Sequence, residues 1–169
     1  MIRLTRWLKP PQVRVELVAQ APDEVTETWS AERLAWSVKE AVLRELASLL
    51  VSSGRIVKPA RLLTDLINRE KRASTAVGEG IAIPHVRTLQ AREFALCFAR
   101  STPGIEFDAP DGAPVHFFFA VVAPPYDDKH YLEVYRSIGE LLRHEGTREA
   151  LFAATTEHEM IRVIGELGA

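Results

Sequence analysis

Two segments in the first half of the chain share a helical period of hydrophobic residues. Apolar positions three and four residues apart predict a long amphipathic helix that ends at Gly54. Its apolar positions are Leu34, Val38, Val42, Leu46, Leu49 and Leu50. The same period predicts a second helix from Pro59 to about Lys71, since proline is favoured at the first helical position.

Strand-like patterns occur before these helices and, in a group, after them. Residues 13–19 alternate between apolar and polar positions, which predicts a half-buried strand ended by Pro22 and Asp23. Short, wholly apolar runs are typical of strands buried on both faces of a sheet. They occupy residues 81–83, 94–99 and 115–122. Residues 105–107 predict a further short strand, and residues 110–112 a turn.

The C-terminal part returns to a helical period. Asp127 or Asp128 is expected to cap a helix that carries Tyr131, Tyr135 and Ile138. Two shorter helices are expected at about residues 147–154 and 157–167. Helices therefore lie on both sides of the strand-rich middle. The expected fold is a three-layer α/β single domain, with a mixed β-sheet flanked by helices on both faces. The pattern leaves the strand order open.

Composition narrows the classes of function. The 169 residues, 47% hydrophobic and 26% charged, suit one ordinary globular domain. A net charge of −2 gives no support for a nucleic-acid partner. The first ten residues mix apolar with basic positions, so we expect a tail that packs or frays, rather than a signal peptide or a weak membrane-surface anchor. We expect a cytoplasmic protein with no stable membrane insertion.

One histidine stands where a side chain can be both fixed and reached. His85 follows a Gly-punctuated loop, a short apolar run and Pro84. A neutral imidazole can act as a nucleophile near physiological pH without an added base. On position alone, a histidine that only packs at a strand end is the favoured alternative.

A second histidine lies at a predicted helix start. His130 falls in the first turn after Asp127 or Asp128, where backbone N–H groups and the helix dipole favour an anion. A solvated surface histidine is the alternative there. Other site types lack their signatures. Residues 78–80 lack the third glycine of a dinucleotide site, no P-loop lysine follows, and no Cys/His pair has zinc-finger spacing.

Three segments together resemble a known family. They are residues 69–75 (REKRAST), similar to an Arg-Glu-x-x-Gly-Ser-Thr pattern, residues 74–85 (STAVGEGIAIPH) and residues 105–115 (IEFDAPDGAPV). They resemble the type-2 EIIA domains of the bacterial sugar phosphotransferase system (PTS), the fructose/mannitol and nitrogen-regulatory class. The resemblance covers about residue 13 to the C-terminus. It implies an N-terminal tail at residues 1–12 and an EIIA-like domain at residues 13–169.

The resemblance implies a phosphotransferase component whose histidine carries a phosphoryl group. It assigns that group to His85, with His130 and Arg69 as further active-site residues. Ser74 and Thr75 are then expected to bind the phosphoryl group beside Arg69. The implied donor is the phosphocarrier HPr or its nitrogen-branch paralogue, and the implied recipient is a IIB domain or a regulatory target. No metal or nucleotide cofactor is implied.

The chain also departs from the family pattern. Family members usually have Gly at the positions of Ala73, Ala76 and Val86, and often Asn at that of Glu79. Because Ala and Val take positive φ angles only at a cost, we expect a reshaped loop. These departures motivate a second interpretation, a non-catalytic EIIA-like regulatory module that no longer accepts phosphate.

Overall fold

The computed structural model describes residues 2–19 and 28–167, and within these ranges the chain forms five α-helices and six strands. The helices are α1 (Ala31–Val51), α2 (Pro59–Arg72), α3 (Asp128–Arg143), α4 (Glu145–Ala153) and α5 (Glu157–Leu167). The strands are β1 (Val13–Arg14), β2 (Ala76–Gly78), β3 (Ile81–Ala82), β4 (His85–Arg87), β5 (Ala95–Ile105) and β6 (Val115–Ala123). None of these helices is long and apolar enough to cross a membrane.

The six strands form one mixed sheet centred on β6. Its order is β1-β5-β6-β3-β2, and β4 also pairs with β6. Strand β6 is antiparallel to β5 and parallel to both β3 and β4. Phe98 faces Phe119 in the first ladder, and His85 faces Val121 in the last. Strands β3 and β4 pair one after the other with the same edge of β6, and a short break in the ladder separates them.

Side chains of β6 point alternately into two cores. Phe117, Phe119 and Val121 belong to the core that α3, α4 and α5 cover. Phe118 and Val122 belong to the opposite core, which α1 and α2 cover. A strand buried on both faces needs the continuous apolar run seen in the sequence. The predicted three-layer α/β fold with a mixed sheet is confirmed.

The described residues of the N-terminal segment pack on the domain. Leu4, Trp7 and Leu8 are 3%, 5% and 1% exposed and belong to the core beside α3 and α5. The Gln12 amide donates to the carbonyls of Trp7 at 2.6 Å and Leu96 at 2.8 Å, which ties the segment to β5. The division of the chain at residue 12 stays a prediction about domain organisation.

The strand predicted at residues 13–19 has only two residues in the ladder. After Arg14 the chain turns toward α1, where the Glu45 carboxylate accepts from the backbone N–H groups of Val18 and Ala19. These bonds replace a continued ladder to β5, apart from the N–H of Leu17, which donates to a β5 carbonyl. The predicted break at Pro22 and Asp23 lies outside the described residues.

Residues 105–107 do not form a separate strand. Ile105 is the last residue of β5, after a shift in register against β6. Phe107 leaves the sheet and is fully buried under α1, where its carbonyl accepts from the Ser74 hydroxyl. The predicted turn is present, since the Gly112 N–H donates to the Ala109 carbonyl at 3.0 Å.

Candidate functional site

The break between β3 and β4 places His85 at an edge of the sheet. Pro84 has no N–H to give to a ladder, so the strand is interrupted there. Its carbonyl still accepts from the Val121 N–H at 2.9 Å, which holds the chain against β6. His85 then begins β4 and is half-buried. The sequence-based position of His85, next to a strand end and reachable from outside, matches this placement.

The hydrogen bonds of the His85 ring define its tautomer. Nδ1 lies 2.6 Å from the carbonyl oxygen of Ile83. A carbonyl can only accept, so Nδ1 carries the proton and donates it. In the neutral ring Nε2 therefore has a free lone pair. It lies 3.3 Å from Nη2 of Arg69, whose N–H can donate to it.

The surroundings of His85 favour the neutral ring. Burial lowers its pKa below the usual value of 6.5, and the positive charges of Arg69 and Arg87 act in the same direction. The bond to the Ile83 carbonyl and the negative charge of Glu70 oppose them without reversing the shift. A neutral ring with an unprotonated Nε2 is the form that can attack an electrophile.

Arg69 reaches the site from the last turn of α2. Its Nη1 donates to the carbonyl of Ala73 at 3.0 Å, four residues on, while Nη2 points at His85. The first bond fixes the plane of the guanidinium, so that the second group is aimed at Nε2. The structure therefore brings together His85 and Arg69, two of the residues that the sequence analysis placed in one site.

A buried ion pair supports the loop that follows α2. Glu70 accepts from the backbone N–H and the hydroxyl of Thr75, at 3.0 and 2.6 Å. Lys39 of α1 lies 3.1 Å from both Glu70 and Asp108. The side chains of Lys39 and Glu70 are 5% and 1% exposed, so both charges depend on these partners. The sequence did not indicate a role for Lys39, because the helical period does not distinguish a buried lysine at this position from an exposed one.

The hydroxyl groups of Ser74 and Thr75 are turned inward. Ser74 donates to the Phe107 carbonyl at 2.7 Å, and Thr75 bonds the Glu70 carboxylate. Each hydroxyl has one proton, and both protons are used in these bonds. The expectation that Ser74 and Thr75 bind the phosphoryl group, through hydroxyl or backbone donors, stays a prediction. Binding through the hydroxyls requires these bonds to open.

Two tyrosines of α3 contact the His85 ring. The rings of Tyr131 and Tyr135 contact the His85 ring edge-on, at centroid distances of 5.3 and 6.2 Å. The Arg87 guanidinium lies 5.7 Å from the centre of the Tyr131 ring and pairs with Asp128. The helical period placed both tyrosines on this helix and gave no sign that they face His85.

His130 lies in the same helical turn but faces elsewhere. Its Nδ1 is 2.9 Å from the Asp127 carboxylate, the side chain that caps α3. Its ring contacts Trp7 and Phe94 at centroid distances of 5.7 and 6.2 Å. The structure thus places His130 against the N-terminal segment, and its part in phosphoryl chemistry stays a prediction.

The loop that leads to His85 avoids the strain expected from Ala73, Ala76 and Val86. Within the described residues, none of the three has a positive φ angle. Glu79 does, at φ 56°, and its N–H donates to Asp111 at 2.8 Å. The substitutions therefore leave the backbone in conformations that Ala and Val adopt without cost.

Metal ligation has no support in the described part of the chain. No group of three or more His, Cys, Asp or Glu side chains there could hold a metal ion. Burial raises the pKa of the Cys97 thiol to about 12, so it stays protonated and unreactive.

The chain is similar to proteins of one transport and regulatory system. A family model described as the phosphoenolpyruvate-dependent sugar phosphotransferase system, EIIA 2, matches residues 25–166. The fructose-specific PTS EIIA component of Haloferax volcanii is 34% identical over 131 residues, or 78% of this chain and 85% of that protein. A nitrogen regulatory protein of Pseudomonas aeruginosa is 30% identical over 126 residues, or 75% and 82%.

Two further comparisons concern extent and fold. The chain is 33% identical over 128 residues to the fructose-specific PTS EIIABC component of Bacillus subtilis, covering 76% of this chain but only 20% of that protein. The crystal structure of the nitrogen regulatory protein IIA-Ntr from Neisseria meningitidis superposes with a TM-score of 0.76 at 24% identity, covering 95% and 98% of the two chains. The match over residues 25–166 and these relatives show that the chain belongs to the EIIA type-2 family of the phosphotransferase system.

Proposed function

We propose that the chain is a cytoplasmic phosphohistidine carrier of the phosphotransferase system. His85 accepts a phosphoryl group from the phosphohistidine of an HPr-like protein. It then passes the group to a IIB domain or holds it as a regulatory signal. The observation that carries the proposal is the unprotonated Nε2 of His85, directed at Arg69 by the bond from Nδ1 to Ile83.

The proposed step needs no base and no metal. The Nε2 lone pair attacks phosphorus, and the N–P bond to the donor histidine breaks as the new N–P bond forms. The donor phosphohistidine begins with a proton on its other ring nitrogen, so it leaves as a neutral imidazole that keeps this proton. The proton on Nδ1 of His85 stays in its bond to the Ile83 carbonyl. Arg69 shifts from Nε2 to the phosphoryl oxygens, where its N–H groups stabilise the negative charge of the transition state.

Relatives of two kinds, sugar-specific and regulatory, support this proposal. Fructose-specific EIIA and nitrogen regulatory proteins are both among them, with 34% and 30% identity. The transported sugar and the regulatory target are therefore separate questions from the acceptor chemistry, which the same histidine serves in either branch of the proposal.

The test is phosphorylation by the upstream enzyme, HPr and phosphoenolpyruvate. We expect one phosphoryl group, stable in base and labile in acid, which intact mass spectrometry detects. His85→Ala should take up none. His158→Ala is the matched control, because this exposed histidine of α5 lies outside the site, and it should be labelled normally. Labelling of His85→Ala would contradict the proposal.

A second function is favoured by one observation. Val86, the residue after His85, is branched and half-buried, whereas the family pattern that the sequence resembles has glycine there, and its side chain packs on the core under α1 and α2. We infer that this added bulk at β4 narrows the approach of a phosphohistidine donor, which would leave a regulatory module that only binds. HPr binding without transfer of the label would support this second function, and stoichiometric labelling would exclude it.

A further inference from the structure

The N-terminal half of α3 presents tyrosines to the acceptor histidine. Tyr131 and Tyr135 are one turn apart and so share a face of the helix. Their rings meet the His85 ring at interplanar angles of 61° and 85°. Neighbouring helical residues point about 100° apart, and the His130 ring is turned to Trp7 and Phe94. The helix therefore offers phenol groups, rather than an imidazole, to the site.

The Tyr131 hydroxyl lies among the cations of the site. Burial raises the pKa of the phenol above its usual value, whereas Arg69 and Arg87 lower it. The net effect is upward, so the hydroxyl keeps its proton at neutral pH and can donate it. Arg69 is the same side chain that approaches Nε2 of His85. The phenol and the nucleophile thus share one guanidinium neighbour.

The Tyr131 hydroxyl is also free to act. In residues 2–19 and 28–167 it has no protein acceptor within hydrogen-bond distance, whereas Ser74 and Thr75 have used their protons internally. Nδ1 of His130 is likewise engaged, with Asp127. A phosphoryl group on Nε2 brings three oxygens into this space, and Arg69 alone leaves some of their lone pairs unbonded.

From this geometry we infer that Tyr131 is a catalytic residue, whose hydroxyl donates a hydrogen bond to the phosphoryl group as it moves onto His85. The inference rests on the proposed function. It assigns to a phenol the place that the sequence analysis expected His130 to fill.

The test is Tyr131→Phe, which removes the hydroxyl and leaves the ring that covers His85. Labelling from phosphorylated HPr should slow by roughly a hundredfold in single-turnover experiments, as when one donor to a developing negative charge is deleted. Tyr126→Phe is the matched control, since this tyrosine is 81% exposed and its hydroxyl donates to the Arg92 carbonyl. The labelling rate of this variant should equal that of the unsubstituted protein.

A second readout separates the hydroxyl from the ring. The pKa of His85, followed by NMR titration, should be the same in Tyr131→Phe, because the phenyl ring still buries the imidazole. A slow variant with an unchanged titration supports the inference. A slow variant whose titration moves assigns the effect to altered packing and overturns it.

The remaining outcomes separate this inference from the proposed function. Equal labelling rates for Tyr131→Phe and the unsubstituted protein overturn the role of Tyr131 alone. Slow labelling of His130→Gln in that case returns the donor role to His130. If the unsubstituted protein takes up no label from HPr or from phosphoramidate, a small donor that needs no docking, the proposed function fails and the inference fails with it.

Discussion

His85 and His130 are alike in the hydrogen bond at Nδ1 and differ in the other neighbours of their rings. In each ring Nδ1 is held by an oxygen, from the Ile83 carbonyl at 2.6 Å and from the Asp127 carboxylate at 2.9 Å. Around His85 the remaining neighbours are a guanidinium and two tyrosines. Around His130 the ring contacts are with Trp7 and Phe94, in a pocket that Arg6, Arg55 and Arg92 also line.

This difference shows what turns a tethered histidine into a candidate nucleophile. A bond at Nδ1 fixes the ring and its tautomer in either place. At His85 a cation contacts the second ring nitrogen, where it can receive the negative charge of a phosphoryl group. Among the described residues, Arg6, Arg55 and Arg92 line the pocket beside His130, but none of them is hydrogen-bonded to its ring. The structures that hold the two histidines also differ. The buried Lys39–Glu70 ion pair stabilises the loop near His85, whereas the N-terminal segment packs against His130.

The largest expected effect comes from breaking that ion pair. Lys39→Met leaves the Glu70 carboxylate buried without its cation, and we expect a loss of about 3–5 kcal/mol in the free energy of unfolding. Denaturant unfolding measures it. The double variant Lys39→Met/Glu70→Gln should recover part of the loss, because the unpaired charge is gone. Lys71→Met, at an exposed position of α2, is the control and should change stability little. A loss equally small for Lys39→Met would show that the pair does not support the site.

Arg69→Ala tests the contact that distinguishes the two histidines. Removing a donor to the phosphoryl oxygens should slow labelling by about a hundredfold or more, near 3 kcal/mol of transition-state stabilisation. Rapid-quench labelling from phosphorylated HPr measures the rate. Arg69→Lys should recover only part of it, because lysine lacks the planar pair of donors. Arg72→Ala, on an exposed arginine of the same helix, is the control. Normal labelling of Arg69→Ala would remove the basis of the comparison.

The smallest expected effect is on pH dependence. Because the pKa of His85 lies below 6.5, the neutral acceptor persists as pH falls through that value, and the labelling rate should drop only at lower pH. The lowered pKa of His85 also makes the free energy of unfolding depend on pH. Its contribution to stability is fully present above the pKa of the unfolded state and is lost as pH falls through the pKa of the folded state. An NMR titration of the His85 ring checks the midpoint. A midpoint above 6.5 would contradict the desolvated site.

The long periodic elements were predictable from sequence, and the short ones were not. Helices α1 and α2 have enough turns for their apolar spacing to stand out, and both were confirmed. Strands β2 and β4 have three residues each, too few for an alternation to show. Strand β4 pairs with β6, and β2 joins the sheet through β3, which itself pairs with β6. Because β6 lies far along the chain, local sequence carries little signal for these strands.

In the candidate site, too, one contact was predictable from the sequence and another was not. The contact between Arg69 and His85 was predicted because both lie in motifs that resemble the family's. The direction of α3 was not, since a rotation of one residue decides whether His130 or Tyr131 meets His85. That rotation is set by tertiary contacts, including Trp7 against His130 and the burial of Val134. Neither contact can be read from the helical period.

The central claim is that Nε2 of His85 accepts the phosphoryl group, and NMR of the ¹⁵N-labelled phosphoprotein tests it most directly. The imidazole nitrogens report which atom carries phosphorus, and His85→Gln identifies the ring. The account predicts a single phosphohistidine at His85, with phosphorus on Nε2 and the proton retained on Nδ1. Phosphorus on Nδ1, or on the ring of His130, would contradict it.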